Sequence, residues 1–153
     1  MKKYNYRATL TLCLLWFLCS GSAQADNNDS LFYAARAGLY SSVAHLINQG
    51  ANVNYTNLSR ETPMHAAASK GHLNVMQLLR SKGARHDVRT SGNWMPLHHA
   101  VRFGHVRAAQ YLLHLGTPLY ARTRDGKTVF DIAQATRNQA MIHFLDNFRR
   151  NRR

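Results

Sequence analysis

Nine histidines stand in a chain of 153 residues that has only seven acidic side chains, so metal ligation and acid–base catalysis are the first chemistries to consider. Zinc requires nitrogens about 2.1 Å from the ion, converging from several side chains. His98 and His99 are adjacent, and neighbours on a helix point to different faces. His72 and His105 each follow a glycine and lie 33 residues apart, which puts them on separate helices about 8–10 Å from one another. Neither pair makes a chelate, and the reading is no metal and no cofactor. Asp26, Asp29, Glu61, Asp87, Asp125, Asp131 and Asp146 are scattered. No glycine-rich phosphate loop, G-x-S-x-G or H-E-x-x-H is present, and the two cysteines, Cys13 and Cys19, both fall in the first 20 residues. The sequence reads as non-enzymatic.

What positions these histidines is a period. Ala34, Ala67, Ala100 and Ala133 are spaced 33 residues apart, and glycines keep the same register at 38, 71 and 104 and again at 50, 83 and 116. A fixed period of this length marks a stacked repeat architecture. Pro63 and Pro96 suit the first turn of a helix, where the missing N–H has no partner to lose, and Thr62 is placed to cap it. Gly71 and Gly104 suit the left-handed residue that ends a short helix. Alanine at the repeated position lets inner helices approach closely, while Leu78, Leu79, Leu112 and Leu113 form apolar stripes that only a neighbouring unit buries.

The second unit reads Thr62, Pro63, Met64, His65, Ala66, Ala67, Ala68, Gly71, His72, and the third Met95, Pro96, Leu97, His98, His99, Ala100, Gly104, His105. This pattern resembles the ankyrin repeat, whose signature T-P-L-H-x-A opens a unit of one β-turn and two antiparallel helices. The resemblance implies an all-α ankyrin repeat solenoid of four helix-turn-helix repeats with short β-turn fingers, at about 29–57, 58–90, 91–123 and 124–150. It also implies that His65 and His98 are buried links between loops. The outer units depart from the pattern, as terminal repeats with one wet face do: the first opens on Asp29, Ser30, Leu31, Phe32, and the last carries Asp131 at the signature histidine and Arg137 at the turn glycine.

Residues 1–25 have the form of an export signal. Lys2, Lys3 and Arg7 precede an apolar run from about Ala8 to Cys19, followed by Ala23, Gln24, Ala25 as an A-x-A cleavage site. The run of about 12 residues is short of the about 20 that a spanning helix needs. Cleavage after Ala25 leaves 26–153 as the repeat domain, without cysteines, which suits a bacterial periplasm. The chain carries a net charge of +13, and removal of Lys2, Lys3 and Arg7 with the leader lowers it to +10. A value so far from zero points to an acidic partner. Nucleic acid is set aside because an exported protein rarely meets it. Arg149, Arg150, Arg152 and Arg153 are read as cations complementing a terminal helix dipole, with a membrane or lipopolysaccharide contact as the alternative.

The ankyrin resemblance implies a concave binding surface built from finger residues and the exposed ends of inner helices. Carried over position by position, it gives Arg36, Lys70, Arg89, Trp94, Arg102, Phe103, Arg122, Arg124 and Lys127 as partner-binding residues. Trp94 is expected at a finger tip with Arg102 and Phe103 beside it, since Trp and Arg dominate binding hot spots. The expected function is a monomeric protein-binding module in the periplasm, supporting a stress enzyme such as catalase or neutralising a toxin. Two alternatives are a secreted effector acting on host proteins and a binder of an anionic envelope surface.

Overall fold

A computed structural model describes residues 26–151, and within them eight helices pair into four helix–turn–helix units. They are α1 (26–37) with α2 (Tyr40–Asn48), α3 (Pro63–Lys70) with α4 (Leu73–Ser81), α5 (Pro96–Arg102) with α6 (Val106–His114), and α7 (Val129–Ala135) with α8 (Gln139–Arg150). Inner helices α3, α5 and α7 stack on one another, and outer helices α2, α4, α6 and α8 stack beside them. The leader with Cys13, Cys19 and Ala25, and Arg152 and Arg153, lie outside the described residues.

Each inner helix starts where its cap residues dictate. The Thr62 hydroxyl accepts from the His65 amide at 3.4 Å, and the Thr62 amide donates to His65 Nδ1 at 3.1 Å. With Nδ1 accepting, the ring proton sits on Nε2, which donates to the Trp94 carbonyl of the next unit at 3.2 Å. His98 repeats the pattern, with Nδ1 accepting from the Met95 amide (3.0 Å) and Nε2 donating to the Ala121 carbonyl (3.1 Å). In the last unit Asp131 accepts from the Thr128 amide and hydroxyl, both at 2.7 Å. The expected links are therefore present. Asp131 keeps the capping half of the histidine's work, and among the described residues it makes no link to another loop.

The turns between paired helices carry a second ladder. Gly71 lies at φ 73°, and a Cβ built on it would stand 2.6 Å from the ring of His105 in the next unit. Nε2 of His105 pairs with the Ser69 carbonyl at 3.1 Å, and Nε2 of His72 with the Arg36 carbonyl at 3.2 Å. Gly38 faces His72 in the same way, and Gly104 faces Asn138. His72 and His105 are thus staples between successive units. Arg137, where the others have glycine, still makes the turn by adopting φ 53°, a conformation that costs an L-residue roughly 1–2 kcal/mol.

One continuous core runs the length of the stack. Ala67 and Ala100 are fully buried between inner helices, and Leu31, Met64, Leu79, Leu97, Leu112, Leu113, Met141 and Leu145 fill the space behind them. Leu78 is half-buried at its margin. Each fully buried Leu or Met contributes about 1.5–3 kcal/mol, and most of that burial is supplied by a neighbouring unit.

Candidate binding surface

The fingers are tight turns closed by a repeated pair. The Asn57 amide donates to the Glu61 carbonyl (3.0 Å), Thr90 to Trp94 (2.9 Å), and Thr123 to Lys127 (2.9 Å). Arg60, Asn93 and Gly126 take the left-handed position in successive turns at φ 61°, 64° and 74°. Backbone bonds join one finger to the next, from Ser91 N to the Ser59 carbonyl (3.0 Å) and from Arg124 N to the Gly92 carbonyl (2.8 Å). A joined row of fingers is a stiff wall.

Trp94 closes its turn and leads directly into α5, so it is not the finger tip that the repeat register suggested. Its indole is half-buried against the core and meets the rings of His98 and His99 edge-on, with centroids 5.8 and 5.5 Å away. The Arg102 guanidinium carbon lies 5.4 Å from the Trp94 ring and 5.8 Å from the Phe103 ring. Arg102 and Phe103 do lie beside Trp94, as expected. Cation–π contact holds the guanidinium in place while Phe103 remains 54% exposed.

On either side of this trio lies a hollow of about 300 Å³. Trp94, Arg102, Lys127, Asp125 and Ile132 line one. Phe32, Arg36, Glu61, His99 and Phe103 line the other. In the second, His99 Nε2 is buried without a hydrogen-bond partner, and Glu61 Oε1 is 3.8 Å away, too far to serve as one. Burial holds the His99 pKa below its ordinary value, with Glu61 pulling it up and Arg102 pushing it down. At neutral pH His99 is therefore a neutral imidazole beside Glu61.

The other expected residues are dispersed. Arg89 donates to the carbonyls of Arg122 (3.3 Å) and Asn93 (3.5 Å), and Arg122 donates to the carbonyl of Gly126 (2.7 Å). Arg89 and Arg124 line a different hollow on the finger side. Lys70 is exposed at the end of α3 and lines none of the three. Sequence reasoning missed His99, Phe32 and Arg60. Register could have found the first, because Ala66, His99 and Ile132 share one position in successive units and all three line the two hollows beside Trp94.

The surface thus combines aromatic faces, one guanidinium held against them and a buried neutral imidazole. A family model described as ankyrin repeats (3 copies) matches residues 31–123. The chain is 32% identical over 108 residues to the tyrosine-protein kinase HTK16 of Hydra vulgaris, covering 69% of this chain and 14% of that protein. It is 35% identical over 104 residues to the ankyrin repeat and SAM domain-containing protein 6 of Mus musculus, covering 67% and 12%. It is 33% identical over 106 residues to a transient receptor potential cation channel subfamily A member 1 homolog of Caenorhabditis elegans, covering 69% and 9%. The chain therefore spans a small part of the length of these relatives.

Proposed function

The chain belongs to the ankyrin repeat family, and on that premise we propose that it is an exported, non-enzymatic module that binds an acidic partner protein through the surface around Trp94, Arg102 and Phe103. The single observation carrying this reading is the Arg102 guanidinium held between two aromatic rings, with Phe103 exposed. A preorganised arginine beside an exposed aromatic is the composition of a binding hot spot. The basic n-region, apolar run and A-x-A site support export and cleavage after Ala25 into a periplasm. The net charge of +10 on the processed chain favours an acidic partner through electrostatic steering. A stress enzyme to be supported and a toxin to be neutralised both fit these terms.

Affinity capture from native periplasmic extract tests the reading, with captured proteins identified by mass spectrometry. Arg102→Glu is expected to lose the partner, and Arg150→Glu on the terminal helix to retain it. The reverse pattern would place function at the basic C-terminal end and on an anionic envelope surface.

A further inference from the structure

The finger side of the stack holds a hollow of about 850 Å³ that shares no residue with the two beside Trp94. Four arginines line it, Arg60, Arg85 and Arg89 from the second unit and Arg124 from the fourth, and Asp87 is the carboxylate among them. Asp87 is taken by Arg85 at 3.3 Å. Arg89 is pinned by the carbonyls of Arg122 and Asn93, so its guanidinium is fixed without being neutralised. Arg60 and Arg124 are exposed and have no side-chain partner among the described residues. The rest of the lining is Thr90, Ser91, Asn93 and Val88, with the Ser91 hydroxyl and the Asn93 amide already donating to the Ser59 and Arg122 carbonyls.

Gathering like charges is unfavourable for the folded chain, and here the fold holds them in place. The Arg60 backbone is locked left-handed in its turn, and the Arg124 amide is bonded to Gly92 of the preceding finger. A guanidinium fork pairs bidentately with phosphate and carboxylate oxygens alike. Phosphate supplies close to two charges and three acceptor oxygens per group. An extended acidic chain supplies one charge per residue, spread at about 3.3 Å per residue. An open hollow lined by four cations matches the denser charge, and its volume lies in the range of about 300–1,000 Å³ typical of small-ligand sites.

We infer that this hollow is a second binding site, separate from the partner surface, for a ligand carrying several phosphate groups. The phosphates come either from a soluble polyphosphorylated molecule or from phosphorylated lipid headgroups, and the chemistry at the arginines is the same.

The test is calorimetric titration of the full chain with inorganic tripolyphosphate and with inositol hexakisphosphate, and with citrate as a carboxylate comparator. The double variant Arg60→Asn, Arg124→Gln removes two cations without disturbing a contact, since Asn93 already occupies the position of Arg60 in the next finger with the same left-handed backbone. The double variant Arg107→Gln, Arg150→Gln removes equal charge elsewhere. Loss of charge-assisted hydrogen bonds is expected to weaken both phosphate probes about tenfold or more in the first variant. The second variant should bind as the unaltered chain does, and citrate more weakly than either phosphate. Cosedimentation with phosphatidylcholine vesicles containing phosphatidic acid, lost in the first variant, would assign the phosphates to lipid. Phosphate probes bound without cosedimentation would assign them to a soluble ligand. Absence of saturable binding to both phosphate probes, equal weakening in the two variants, or citrate bound as tightly as phosphate would overturn the inference. None of these outcomes bears on Arg102, so the partner surface stands or falls separately.

Discussion

The side chain of His65 joins two units through one imidazole: Nδ1 accepts from the Thr62 amide at 3.1 Å and Nε2 donates to the Trp94 carbonyl at 3.2 Å. Both bonds require the neutral ring. Burial, reinforced by nearby His99, lowers the His65 pKa to about 3 from 6.5. Burial lowers His98 and His99 as well.

Stability is therefore expected to depend on pH in one direction. Between about pH 6.5 and 3 the unfolded chain binds a proton at residue 65 that the folded chain refuses, so acidification favours unfolding. The contribution is complete above pH 6.5 and is lost as pH falls, at up to about 1.4 kcal/mol per pH unit for each such histidine. Urea midpoints should stay level from pH 7.5 to about 6.5 and fall from there to pH 4.5, and His65→Gln should flatten the curve while lowering it at neutral pH. A midpoint independent of pH would mean that these rings are not buried and neutral.

The contact of His105 with Gly71 gives a second expectation. Gly71→Ala places a Cβ 2.6 Å from the His105 ring on a backbone at φ 73°. Left-handed strain alone costs roughly 1–2 kcal/mol, and displacement of the ring from the Ser69 carbonyl adds about 1 kcal/mol for the lost hydrogen bond. Thermal unfolding should register a loss of about 2–3 kcal/mol from these two terms. Gly83→Ala, whose Cβ would meet nothing within 4 Å, should show the strain alone.

Arg137 offers the opposite case. Replacing it with glycine relieves left-handed strain of roughly 1–2 kcal/mol against an added backbone entropy cost of about 0.5–1 kcal/mol. The strain is larger, so Arg137→Gly should stabilise the chain by about 0.5–1 kcal/mol in urea denaturation. A destabilised variant would show that the Arg137 side chain makes a contact worth more than its strain.

Much of the fold could be read from the sequence because the 33-residue register fixes it. Thr62 and Pro63 set the helix start, Ala67 and Ala100 the close approach of inner helices, and His65 and His98 the links between loops. Trp94 departs from the expected tip for a local reason: the turn closes between Thr90 and Trp94, so the tip falls on residues 91–93 and Trp94 follows it. His99 reads from sequence only as half of a poor chelate, although its register with Ala66 and Ile132 marks the hollows beside Trp94. Arg89 and Arg122 engage carbonyls of neighbouring loops, and the arginine hollow draws on Arg60 and Arg124, which lie 64 residues apart in the sequence. Such meetings depend on how successive fingers align, which no single unit encodes.

The most direct measurement is the affinity of the captured partner for Arg102→Ala and Phe103→Ala chains by calorimetry. Trp94→Ala is less clean, because the half-buried indole also supports His98 and His99. Arg102 and Phe103 are exposed, so their loss should leave the thermal midpoint nearly unchanged. Each is expected to weaken binding by at least about 2 kcal/mol, while Arg150→Glu changes it by about 0–1 kcal/mol, as an exposed charge does. Unchanged affinity in both Arg102→Ala and Phe103→Ala, with the partner lost by Arg150→Glu, would contradict the assignment of binding to this surface.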